Sequence, residues 1–226
     1  MEKKSKNKKN KNFILYYGVH LEIETEKKLL GTAQTALNEL LSKFSPDFEP
    51  IYNTLTELIK KYDEAKKGNI DNFKSNTIIK INNMSYPKSF HITIAFGGKK
   101  GFNKNSEAVK GFDAGKIVNF KPLGLVIIPN KIVIIPAKTD IEIENEFPHF
   151  TCFIGDFKPK DSNLVLENLF GNNEKLEKEY NDLLQNTESI NIKKENLQMD
   201  GVNYEAYVYL TNKNEELKGR MRGYNF

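Results

Sequence analysis

Two short runs hold the residues whose types and spacing could do chemistry: His91-Ile92-Thr93-Ile94 and His149-Phe150-Thr151-Cys152. Each lies in an apolar, strand-favouring stretch, 90–96 and 147–154. Side chains alternate along a strand. His91 and Thr93 should therefore share one face, as should His149 and Thr151, while Ile92/Ile94 and Phe150/Cys152 point the opposite way. Each run then presents an imidazole beside a hydroxyl, with a hydrophobic anchor behind. Two imidazoles can act as general base and general acid near neutral pH, and two hydroxyls can donate to phosphate oxygens. That set is enough to cleave a phosphodiester with no metal. The chain has only three histidines, and 20 Ser plus Thr among 226 residues, so chance seldom gives two of the three a hydroxyl at the second position on. The plainer alternative is two half-buried strand histidines, each bonded to its own threonine. Sequence separation alone does not show that the two runs meet.

Fewer residues elsewhere invite a role. Lys99 and Lys100 follow the first run in the glycine-rich loop 97–101, close enough to reach a phosphate or simply to be solvated. Tyr86 and Phe96 flank that run and could stack a base, although core packing is the more ordinary use. His20 has no hydroxyl two residues on and reads as an ordinary strand histidine near Glu22. Tyr204, Tyr207 and Tyr209 read as strand residues with one aromatic face, which could also receive nucleobases. Cys152 should face away from His149, which argues against a nucleophilic thiol. Scattered histidines and one cysteine offer no metal-ligand spacing, so neither metal nor cofactor is expected. Residues 219–226 hold the only two arginines, Arg220 and Arg222, beside Tyr224 and Phe226. Arginine grips phosphate bidentately, so a substrate clamp competes there with a frayed C-terminal tail.

The elements that must position these residues are strands and helices without a βαβ rhythm. Residues 13–23 read as a strand with a possible bulge at Gly18. Leucines and alanines from 29 to 41 recur at helical spacing, giving a helix over 27–44. Ser45-Pro46 can cap a second helix carrying Phe48, Ile51, Leu55 and Ile59. Strands are expected over 77–82, 116–120, 124–128, 132–135, 190–194 and 204–210, and helices over 163–170 and 174–185. Pro129-Asn130 reads as a turn. This is an α+β pattern with mainly antiparallel sheets.

Composition narrows the class. Hydrophobic content of 38% with 15 Phe and 10 Tyr fits a folded globule. No apolar run approaches the ~20 residues that span a bilayer, and no signal core follows the N-terminal charges, so an intracellular, cytoplasmic or nuclear place is expected. A single cysteine fits a reducing compartment. Net charge is +4, but residues 1–12 hold six lysines and read as a disordered basic arm, 13–218 as one domain.

The paired runs resemble the two-histidine phosphoesterase superfamily. Residues 118–131, with Val118-Asn119-Phe120 and Gly124 to Lys131, followed by Glu146-Phe147-Pro148-His149-Phe150-Thr151-Cys152, resemble the cyclic phosphodiesterase domain of plant and fungal tRNA ligases. The likeness covers roughly 73–170. Cys152 departs from it, since an aliphatic residue is usual there. The resemblance implies a bilobed fold in which each lobe gives one motif strand to a central cleft. It also implies His91 and His149 as the acid/base pair, Thr93 and Thr151 on the non-bridging oxygens, and opening of a 2′,3′-cyclic phosphate at an RNA end to a 2′-phosphate. The partner would be RNA or a nucleotide with a cyclic or 2′-linked phosphodiester. Superfamily members also cleave 2′–5′ oligoadenylates and cyclic dinucleotides, and a non-catalytic RNA-binding module is a third possibility. The chain has neither a GxxxxGK[ST] phosphate loop nor a KxDG motif, Gln198-Met199-Asp200-Gly201 having glutamine in the lysine's place.

Overall fold

The computed structural model describes residues 14–44, 52, 56, 80–81, 84–85, 90–98, 101–185 and 189–225. Residues 1–12, Tyr86, Lys99, Lys100, Phe226 and most of the helix expected from Ser45-Pro46 lie outside the described residues. Among those described, eleven strands join edge to edge into one antiparallel network. They are β1 (Ile14–His20), β2 (Lys80–Ile81), β3 (Met84–Ser85), β4 (His91–Phe96), β5 (Ile117–Pro122), β6 (Gly124–Ile128), β7 (Ile132–Thr139), β8 (His149–Ile154), β9 (Ile190–Met199), β10 (Val202–Thr211) and β11 (Leu217–Asn225). The main path runs β2-β3-β8-β7-β5-β11-β1-β4, and β6 branches from β7 to carry β10 and then β9. Among the described residues the strands are accompanied by α1 (Ile23–Phe44), α2 (Glu107–Lys110), α3 (Asp161–Phe170) and α4 (Asn173–Gln185), and Tyr52 and Thr56 are also helical. The fold is α+β with a large antiparallel sheet, as the sequence pattern implies.

Burial explains the layering. The run Gly124–Ile128 is buried at every position, the mark of a strand covered on both faces. Leu125 and Ile127 enter one apolar cluster with Val133, Ile135, Tyr207 and Tyr209. Val126 and Ile128 enter a second with Ile132, Ile134 and Val208. Strands β6, β7 and β10 therefore separate two cores. The first holds the stripe of α1, where Leu29, Leu30, Ala33, Ala36, Leu37 and Leu40 recur at helical spacing. Glu24 and Glu26 in its first turn and Lys43 in its last suit the helix dipole. The second holds Val165, Leu166 and Phe170 of α3 and Leu176, Tyr180 and Leu183 of α4. Tyr207 and Tyr209 are thus core residues and not an open aromatic face.

β7 changes partner along its length. Its first half pairs with β6 and β8, and Ala137 to Thr139 pair with β5. The turn from β6 into β7 has Asn130 at φ 60°, a left-handed position that asparagine tolerates. Gly155, leaving β8, comes so close to this turn that a Cβ would sit 2.0 Å from the Asn130 carbonyl.

One sequence expectation is corrected here. Residues 219–225 are not a frayed tail: Leu217–Asn225 form β11, which lies between β1 and β5. Leu217 and Met221 face the first core while Lys218 and Arg222 are exposed. Inward and outward residues alternate from Leu217 to Arg222, but the glycine and cations among them hide the pattern. No helix among the described residues is long and apolar enough to cross a membrane.

Candidate active site

Both motif strands use the same local device. Along β4, Thr93 pairs with Gly18 and Ala95 with Tyr17, leaving Ile94 as one extra residue. Along β8, Thr151 pairs with Ile134 and Phe153 with Val133, leaving Cys152 extra. Each strand therefore carries a β-bulge at the residue after its threonine. Burial records it: Ile94 and Ala95 are both buried, as are Cys152 and Phe153, where simple alternation would expose one of each pair. Behind the bulges, Ile92, Ile94, Phe150 and Cys152 all enter the first core. The two strands thus share one apolar backing, and β4 packs against β8. His and Thr of both runs stand on the opposite side.

His149 is 8% exposed, and its Nδ1 lies 2.7 Å from the carbonyl of Phe147. A carbonyl only accepts, so Nδ1 carries the hydrogen and the Nε2 of the neutral ring is left with its lone pair. Burial pushes the pKa of His149 down to about 4; the Phe147 carbonyl opposes the shift, and the charge of nearby His91 adds to it. Thr151 Oγ1 lies 2.8 Å from Ser162 Oγ, a fully buried hydroxyl in the first turn of α3. Either hydroxyl can donate in that contact; with Ser162 as the donor, the Thr151 hydrogen is left for a ligand. Burial pushes the Cys152 thiol well above its usual range, so it stays protonated.

His91 is half-buried in an aromatic stack. Its ring lies 4.5 Å from Tyr16 and 5.2 Å from His20, both nearly parallel, with Tyr16 Oη 3.5 Å from Nδ1. Tyr224 of β11 lies 5.1 Å from Tyr16. Register produces this cluster. His91 pairs with His20, Thr93 with Gly18 and Phe96 with Tyr16; Arg220, Arg222 and Tyr224 face the same three residues from β11. Directly paired residues share a face, so three rows cross β4, β1 and β11. Gly18 stands at their centre, and a Cβ there would lie 3.3 Å from His20 Nε2 and from Tyr16 Cε2. The missing side chain lets the rings close over it.

Several sequence expectations change. His20 is no isolated strand histidine: it stacks on His91. Phe96 is not core but 61% exposed, because the bulge at Ile94 returns it to the face of His91 and Thr93. Tyr16, His20 and Ser162 were not legible as site residues, since each is brought in by register or by a helix start with no motif of its own; Tyr224 was legible only as a neighbour of the two arginines. Tyr86, Lys99 and Lys100 are outside the described residues.

Neither a family model nor a curated protein matches the sequence. Among solved structures, one described as "Crystal Structure of Fungal RNA Kinase" superposes with a TM-score of 0.51 at 15% identity. The match covers 95% of this chain and 46% of that one, so this chain spans just under half the length of its structural neighbour. At that identity the likeness is one of fold.

Proposed function

We propose that this protein is a two-histidine phosphodiesterase that opens 2′,3′-cyclic phosphate ends of RNA to 2′-phosphates. The observation that carries the reading is the repeated motif strand: two bulged strands with one apolar backing, each bearing His and Thr. Such repetition fits two related lobes, each contributing one strand to a shared cleft, with residues 14–225 acting as one unit. His149, neutral and with Nε2 available, suits the general base that deprotonates water. His91, less buried, then protonates the departing ribose oxygen. Thr93 and Thr151 donate to the non-bridging oxygens as charge builds on the phosphorane, with Ser162 donating to the Thr151 oxygen. With an acid and a base both supplied by imidazole, no step requires a metal-bound water. The neighbour's description as an RNA kinase favours RNA as the polymer.

The test is a substrate panel in the presence of a chelator: cyclic-ended RNA, a 2′–5′ oligoadenylate, a cyclic dinucleotide and plain 3′–5′ RNA. Cyclic-ended RNA should be opened, and His91→Ala and His149→Ala should each lose about 10²–10⁴-fold in rate. Full activity in either variant, or complete loss with EDTA, would overturn the mechanism. Cleavage of only the 2′–5′ or cyclic dinucleotide substrate would move the protein to that class. Loss of the 3′ oxygen rests on resemblance to tRNA ligases, and phosphorus NMR of the product separates it from the 3′-phosphate outcome.

A further inference from the structure

The three rows that cross β4, β1 and β11 contain more than the reaction uses. The only two arginines of the chain, Arg220 and Arg222, both face this site from β11. They are differently engaged. Arg220 donates to the Gly115 carbonyl at 3.1 Å and meets Glu22 at 3.5 Å, so it ties down the turn before β5. Arg222 is exposed and is in no ion pair among the described residues. It sits in the same row as Thr93, with only Gly18 between them. Two strand spacings separate their backbones by about 10 Å. An extended guanidinium can span that gap to a phosphate held at Thr93, and it also reaches the next phosphate along a nucleotide chain. The adjoining row supplies flat apolar surface. Tyr224 is partly exposed, and Phe96 is turned outward by the bulge at Ile94. A regular strand would have buried that ring in the core.

We infer that Arg222, with Phe96 and Tyr224 beside it, binds the phosphate and base of the nucleotide preceding the cyclic end, so the preferred substrate is a polynucleotide and not a cyclic mononucleotide. The inference rests on the proposed reaction for its register. Guanidinium binds a phosphate through two parallel N–H donors, which a lysine cannot reproduce. Aromatic faces stack any base, so the subsite is tolerant of sequence.

The test compares adenosine 2′,3′-cyclic phosphate with the dinucleotide ApA carrying the same cyclic end. Its readout is the ratio of their kcat/KM values. Arg222→Ala should lower the dinucleotide-to-mononucleotide ratio about tenfold, as loss of a charged hydrogen bond does, and Arg222→Lys should restore part of it. An unchanged ratio, including an equal fall on both substrates, would overturn the inference. Thermal unfolding of the variants checks that they remain folded. Should wild-type protein open neither substrate, the proposed reaction fails, and fluorescence anisotropy with a labelled single-stranded RNA decides the subsite on its own. About tenfold weaker binding by Arg222→Ala then supports it; equal binding refutes it.

Discussion

His149 carries its hydrogen on Nδ1 because the Phe147 carbonyl accepts it, and burial keeps the ring neutral down to about pH 4. A base with that pKa stays competent in mild acid. The acidic limb of kcat/KM should therefore fall near pH 4–5, and a limb near 6.5 would remove His149 from the role of base. Stability follows the same proton. The folded pKa lies below the ordinary 6.5, so between those values the unfolded chain binds more protons than the native one. The contribution is full above pH 6.5 and is lost as pH falls toward 4, by up to about 3 kcal/mol. His149→Gln should flatten that slope in urea titrations at pH 4.5 and 7. Cys152, one strand position past Thr151, is buried and protonated. It should resist alkylation until the protein unfolds, and Cys152→Val should keep activity. Cys152→Ser should lower stability by about 1–3 kcal/mol through an unsatisfied buried hydroxyl. Retained alkylation in the native state would contradict its position behind the bulge.

At the level of elements, the motif strands were legible because their apolar positions and His/Thr positions alternate. What alternation could not supply was the extra residue after each threonine, since a bulge depends on the partner strand. For the same reason Phe96 read as a core residue. Gly18 read as a possible bulge, and the β1–β4 register does shift between Tyr17 and Gly18, with the extra residue on β4. Gly18 is also the floor under the rings of Tyr16 and His20. Gly18→Val should push those rings apart and misplace His91. Since displacement of about 1 Å can cost 10²-fold, a fall in kcat of that order is expected, while circular dichroism still reports the native sheet. Native turnover by this variant would separate the ring stack from catalysis. Helix α1 and the two-sided strands β6 and β7 were plain from pattern. Ser162 was not, because the sequence does not show which strand the start of α3 will meet.

Across the whole molecule, the two ends of the chain are predicted to behave oppositely. Removing 219–226 takes away the partner of Tyr17 to His20 in β1 and opens the sheet between β1 and β5. That deletion should abolish cooperative unfolding and activity together. Removing 1–12 deletes six lysines and should leave the melting transition in place, weakening RNA binding and reducing its salt dependence. An unchanged salt slope would assign those lysines to solubility. The α+β class and antiparallel sheet could be read from periodicity. The order of strands could not, because pairing of β1 with β11 joins segments about two hundred residues apart, and no local signal spans that distance.

That same pairing sets a schedule for synthesis. Translation proceeds at about 5–20 residues per second, so β1 waits roughly 10–40 s for β11 to be made. During that interval one backbone edge of β1 has no native partner. Exposed strand edges of this kind invite wrong pairing. A nascent chain of this protein should therefore engage holdase chaperones through its first strand and gain its Tyr16–Tyr224 stack, which needs β11, only as one of the last steps of folding.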